Sequence, residues 1–229
     1  MNTPLQIAID GPVASGKGDI AGRLAKELQL TYIYTGAMYR MLALAFIEAG
    51  ISTKDIDSVC KKLQQIIISL MPPSSTSIHP FVAVLNDSDV TERIFKQDVA
   101  IGSSDVGTIP QVRQWMVARQ QDMAHGKSVV MEGRDIGLRV LPNAQLKIYL
   151  TASLEERAHR RWLQFDAKGI KKTHEEVLSD TKLRDHQDTT RVTDPLQKLA
   201  SAWELDTTGM NQEDVVARIK EELIKRNLL

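Results

Sequence analysis

Leu5-Gln6-Ile7-Ala8-Ile9-Asp10-Gly11-Pro12-Val13-Ala14-Ser15-Gly16-Lys17 is the stretch on which the fold turns. Leu5–Asp10 is a short apolar run that stops at Gly11–Pro12, the pattern of a strand buried on both faces of a parallel sheet. Beyond it, Ile20, Leu24 and Leu28 stand four residues apart, which predicts a helix from Lys17 to Leu28. Between strand and helix, Gly11 to Lys17 satisfies G-x-x-x-x-G-K. Glycines in that position let the backbone curl so that successive N–H groups face phosphate oxygens. The helix start adds partial positive charge, and Lys17 adds a mobile full charge. Gly11, Pro12, Val13, Ala14, Ser15, Gly16, Lys17, Gly18 and Asp19 are therefore the expected site for the phosphates of ATP.

Outward from this loop, Thr31–Tyr34, Ser128–Met131 and Gln145–Leu150 read as further strands, and Ala202–Asp206 as a late one containing a structural Trp203. Gly36–Ala49 reads as a helix. Strands alternating with helices predict an α/β fold, a parallel core sheet flanked by helices. Two stretches break the alternation. From Ser69 to Asp89 come Met71-Pro-Pro-Ser-Ser75, a β-rich Phe81–Leu85 and the turn-forming Asn86-Asp87-Ser88-Asp89, a small β-containing insertion. Phe165–Lys172 is charged, holds Gly169 and joins two helical patterns, as a short lid would. The expectation is a single domain over 1–229: a core at about 1–35, 106–156 and 190–229, an insertion at about 36–105, and a lid with its following helix at about 157–189.

Of the 229 residues, 42% are hydrophobic and 25% charged, enough for an ordinary soluble core. Lys plus Arg and Asp plus Glu both number 29, so no basic excess favours nucleic acid or an anionic membrane as a partner. The single cysteine, Cys60, excludes an internal disulfide and reads as a buried filler in a reducing compartment. The N-terminus carries no basic leader and no apolar run approaches 18 residues, so the expected location is the cytoplasm. The histidines at 79, 125, 159, 174 and 186 show no metal-ligand spacing.

The charged residues carry the chemistry. Phosphoryl transfer needs charge stabilisation around the transferring group more than a covalent nucleophile. Arg157, Arg160 and Arg161 share a helix face after Ser153 and Glu156, a candidate capping box, although Glu155 and Glu156 could make that face an ordinary solvated one. Arg184, Asp188 and Arg191 follow at i, i+4 and i+7, either a phosphate clamp or a surface salt-bridge ladder. Glu132-Gly133-Arg134-Asp135 follows the strand Ser128–Met131, where strand ends face the ligand crevice of open parallel sheets. Glu132 there suits a water-mediated contact to Mg²⁺; a plain polar turn is the other reading.

Taken together, IDGPVASGKG (9–18), TGAMYR (35–40), LNDSDVT (85–91), SSDVGTIPQVR (103–113), EGRDIG (132–137), LEERAHRR (154–161) and KLRDHQDTTR (182–191) resemble the cytidylate kinase family over nearly the whole chain. Gly18 after the lysine also resembles the G-K-G-T of nucleoside-monophosphate kinases. The resemblance implies a P-loop kinase with an acceptor-binding insertion, acting on ATP with Mg²⁺ and on CMP or dCMP; a monomer is expected, and the charge balance argues against nucleic acid or membrane as partner. It implies that Arg40, Arg134 and Arg184, with Thr35 nearby in the motif, hold the acceptor phosphate, and that Ser104, Arg113 and Asp135 read the cytosine edge. Asp188 and Arg191 would serve the sugar and the transfer site. Lys17, Arg157 and Arg161 would neutralise the transferring phosphoryl group, so the catalytic set is Lys17, Arg134, Arg157, Arg161 and Arg191.

Three positions depart from the family pattern. Asp19 stands where Thr is usual, and two negative charges about 5 Å apart at an effective dielectric of ~20 repel by roughly 3 kcal/mol. Glu132 replaces Asp, and Phe95 follows Ile94 where Arg is common. Two competing functions remain at this level: a kinase of another acceptor such as UMP or shikimate, disfavoured by Ser104, Arg113 and Asp135, and a regulatory nucleotide-binding protein that has lost turnover, supported by Asp19.

Overall fold

A computed structural model describes residues 3–73, 79–167 and 169–229. Ser74 and Ser75 of the expected insertion and Lys168 of the expected lid lie outside the described residues. In chain order the elements are β1 (Gln6–Asp10), α1 (Lys17–Leu28), β2 (Thr31–Tyr34), α2 (Thr35–Glu48), α3 (Ile56–Leu63), β3 (Ile68–Met71), β4 (Val82–Leu85), β5 (Ser88–Asp89), α4 (Gln97–Val106), α5 (Pro110–Ala124), β6 (Val129–Gly133), β7 (Leu146–Thr151), α6 (Leu154–Ala167), α7 (His174–Thr190), β8 (Trp203–Asp206) and α8 (Gln212–Lys225).

The core sheet has the order β2-β6-β1-β7-β8. β1 lies between β6 and β7 and is parallel to both, with Ile9 opposite Glu132 on one side and Ile148 on the other. β8 continues the parallel pairing from β7. Ile7, Ala8 and Ile9 are fully buried, which is why β1 reads as an unbroken apolar run; burying each isoleucine stabilises by about 1.5–3 kcal/mol. α1 packs on β1 and β6 through Ile20, Ala21 and Leu24, and ion pairs from Arg23 to Glu213 and Lys220 to Glu27 join its outer face to α8.

The chain divides into two compact units, one of residues 1–31 with 126–229 and the other of residues 32–125. The second is wider than the insertion expected at about 36–105, because α5 packs on α2 and α3 and so belongs with them. Its small sheet is antiparallel, β3-β4-β5, and α2 lies on it. The turn at Asn86-Asp87 takes positive φ at both residues, as a tight hairpin requires. Met38, Met41 and Leu42 are buried, as core residues of α2. Cys60 is half-buried rather than fully so.

Two local expectations shift. α6 runs on through Phe165, Asp166 and Ala167, leaving a shorter connection to α7. Lys172 in that connection is tied to both helices: the Trp162 indole N–H of α6 donates to Lys172 O at 3.0 Å, and Lys172 Nζ lies 2.5 Å from Asp180 of α7. At the start of α6 only half of the capping box forms: Glu156 N–H donates to Ser153, but the Glu156 carboxylate accepts from Arg160 instead. The complete box caps α7, between Thr173 and Glu176.

Candidate active site

The loop after β1 is shaped by two glycines. A Cβ on Gly11 would lie 2.0 Å from Leu150 O, so only glycine permits the close pass beside β7. Gly16 caps α1 at φ 88°, in the left-handed region glycine enters without strain. Lys17 is buried under this loop, its Nζ donating to Pro12 O at 2.7 Å and Ser15 Oγ at 3.2 Å. Burial, reinforced by Arg134, pushes its pKa down to about 7, while Glu132, Asp188 and Asp10 pull it back. A lysine in that condition gains charge when phosphate arrives.

Asp10, the last residue of β1, is a site element the sequence reading passed over. Its two carboxylate oxygens accept from Ile136 N–H and Gly137 N–H, each at 2.8 Å, which fixes the turn that follows Arg134 and Asp135. Desolvation raises its pKa to about 6 despite those two bonds. The available signal was a carboxylate closing a buried strand, a position that demands partners.

Glu132 lies within β6 and is buried, not in a turn after the strand. Desolvation raises its pKa; Lys17 and Arg134 oppose that shift, and Asp19 adds to it. Asp19 itself lies in the first turn of α1, its carboxyl held above the usual range by desolvation and only partly relieved by Arg23. Among the described residues no group of three His, Cys, Asp or Glu could hold a metal. The buried Glu132 carboxylate, with Asp19 close enough to act on it, fits Mg²⁺, which is bound through one or two carboxylates and phosphate oxygens and keeps several waters.

The arginines of this unit are held by acids. Arg134 Nε donates to Asp188 Oδ2 at 2.7 Å, and Arg184 approaches the same carboxylate at 3.4 Å. Burial pushes the Asp188 carboxyl up, but Arg134, Arg184 and Arg191 outweigh it and hold the pKa below the usual value. Arg191 falls one residue beyond α7, so the expected i, i+7 stripe is broken; its guanidinium donates to Asp194 O and faces Asp135 at 3.6 Å. Arg157 is buried and spans three partners: Ala152 O at 3.0 Å, Val13 O at 3.2 Å and Asp185 Oδ2 at 2.6 Å. The three arginines of α6 diverge. Arg160 donates to Thr207 O at 2.7 Å and to the Thr207 hydroxyl, and Arg161 lies over the Phe165 ring at 5.5 Å. Asp185 and Thr207 were missed in the sequence. Asp185 sits three residues before Asp188 and four after the buried Thr181, a shared helix face that could have exposed it.

The second unit places the remaining candidates. Thr35 is buried at the first position of α2. Arg40 donates to Ile94 O at 3.0 Å and lies 5.8 Å from the Phe95 ring centroid. Phe95 stacks on His79 at 5.0 Å in a cluster with Phe81, Tyr34 and Tyr32. Arg113 is 2% exposed and donates to Gly107 O at 3.3 Å, at the junction of α4 and α5; Ser104 bonds Ala100 O at 3.3 Å on α4.

A family model described as cytidylate kinase matches residues 7–225. The chain is 43% identical to the cytidylate kinase of Caldanaerobacter subterraneus subsp. tengcongensis, covering 98% of this chain and 97% of that protein. It is 42% identical to that of Geobacillus kaustophilus, covering 99% of each. A solved structure of an uncharacterized protein from Eubacterium ventriosum shares the fold at a TM-score of 0.53, 11% identity and coverage of 96% and 98%. With a phosphate-binding loop over a buried lysine and motifs matched from one end to the other, the chain belongs to the cytidylate kinase family.

Proposed function

We propose that this chain transfers the γ-phosphoryl group of ATP to CMP or dCMP, giving ADP and CDP or dCDP. The observation that carries the reading is the phosphate-binding loop closed by Lys17 beneath and Arg157 across Val13, on a chain with cytidylate kinases as full-length relatives. An oxygen of the acceptor phosphate attacks Pγ in line; the new P–O bond forms as the bond to the bridging oxygen breaks, and that electron pair leaves on ADP. Lys17 and Arg157, with Arg161, neutralise charge on the transferring group. Arg40, Arg134 and Arg184 take the acceptor phosphate, and Asp188 and Arg191 serve the sugar and the transfer site. Ser104, Arg113 and Asp135 read the base: a carboxylate accepts from the cytosine amino group and an arginine donates to its carbonyl or ring nitrogen, a polarity uracil does not offer. Mg²⁺ accompanying ATP would be held by Glu132 through water, beside Asp19, and would neutralise phosphate oxygens. The chain works as a cytoplasmic monomer in this reading.

The test is ADP release with Mg·ATP against CMP, dCMP, UMP, AMP and shikimate, beside Asp135→Ala. Turnover with CMP and dCMP that the substitution abolishes is the expected result. Retained ATP binding without turnover on any acceptor would replace the reading with the regulatory one.

A further inference from the structure

Asp185 has a contact that neither the transfer chemistry nor acceptor recognition requires. Its Oδ1 accepts from Val13 N–H at 3.3 Å, inside the phosphate-binding loop, while its Oδ2 accepts from Arg157 at 2.6 Å. The same arginine reaches back to Val13 O. One carboxylate thus engages a loop amide and the transfer arginine together, the two kinds of donor that a phosphoryl group seeks. Its side chain is 21% exposed, so it sits where an incoming anion can reach it, and the Arg157 side chain is 8% exposed. Val13 N–H has one hydrogen to give and Arg157 Nη1 is committed to Asp185; a phosphoryl oxygen arriving there competes with a like charge.

Resting on the kinase reading, we propose that Asp185 is an internal competitor for the transferring phosphoryl group. It holds Val13 and Arg157 in place, and the γ-phosphoryl oxygens must displace it to take them over. Asp185 is a positioning residue: it acts through Val13 and Arg157 and joins no bond that forms or breaks. Its role lets the loop accept a third phosphate only as α7, which carries Asp185, releases the loop. Asp19 differs in kind, since its charge sits in the first turn of α1 with no bond to the loop amides among the described hydrogen bonds.

The test measures binding of Mg·ATP, Mg·ADP and inorganic tripolyphosphate to wild type, Asp185→Asn and Asp185→Ser by calorimetry, with kcat alongside. Both variants remove the charge; Asp185→Asn keeps an oxygen for Val13 N–H, and Asp185→Ser draws it back by one bond. ATP and tripolyphosphate should bind at least about threefold tighter, ADP by a smaller factor, while kcat falls because Arg157 has lost an anchor. A structural role alone would weaken all ligands or leave them unchanged. ATP affinity unaltered or reduced in a folded variant, or an equal gain for ADP and ATP, overturns the proposal; CMP phosphorylation persisting in either case leaves the kinase reading intact.

Discussion

The two units hold the arginines proposed for phosphate differently, although the second also contains an acid-paired arginine, Arg93 with Glu48. In the first, guanidinium groups are paired with carboxylates: Arg134 and Arg184 with Asp188, Arg157 with Asp185, Arg191 with Asp135. In the second, Arg40 donates to a main-chain carbonyl, Ile94 O, and also meets the Phe95 ring. A carboxylate cancels the charge it binds, so a phosphate entering the first unit must rearrange a network. A carbonyl or a ring leaves the positive charge nearly whole, ready for an incoming dianion. On the proposed reading, Arg134, Arg157, Arg184 and Arg191 must leave an acid before they meet phosphate, whereas Arg40 is presented to it on a carbonyl and a ring.

The largest effect should come from cutting the paired network. Arg134→Ala leaves the buried Asp188 with Arg184 as its nearer remaining partner; we expect kcat to fall by about 10²–10³-fold and stability to drop by about 2 kcal/mol. Arg40→Ala should instead raise the acceptor KM by about tenfold with the thermal midpoint nearly unmoved. Equal losses of stability in the two variants would erase this distinction.

Protonation offers the next test. Lys17 has a folded pKa of about 7 against 10.5 unfolded, so between those values the unfolded chain holds more protons and Lys17's contribution to stability improves as pH rises. Bound phosphates reverse the balance by favouring the ammonium form. ATP binding at pH 8 should therefore take up about half a proton or more, read as a dependence of binding heat on buffer ionisation enthalpy. Asp10 runs the other way: raised to about 6, it makes stability fall as pH climbs from about 4 to 6. Heats that do not change between buffers would mean that Lys17 is already charged.

Smaller effects probe the departures from the family pattern. Asp19→Thr removes a carboxylate from the first turn of α1 and should tighten ATP binding by about threefold to tenfold; an unchanged affinity would show that a shared cation already neutralises it. Phe95→Arg should shift the acceptor KM by no more than about threefold, because it adds a charge near Arg40 while removing the ring that stacks on His79. A larger gain would mean that the aromatic cluster limits acceptor binding.

The strand–loop–helix start, the parallel sheet and most of the charged residues of the site are legible in the order of amino acids alone. These are local properties: an unbroken apolar run, helical spacing and a glycine pattern report on neighbours within a few residues. The tertiary structure settles which acid each of these arginines meets. Asp10 bonds amides at 136 and 137, and Asp185 bonds an amide at 13, separations that no periodicity encodes. It also divided the α6 arginines, sending Arg157 to the loop and Arg160 to Thr207, because helix neighbours only three residues apart point to different partners once β8 and α7 are packed. Pairing of charges across the chain depends on distance in space, and buried charge has no stable place without it.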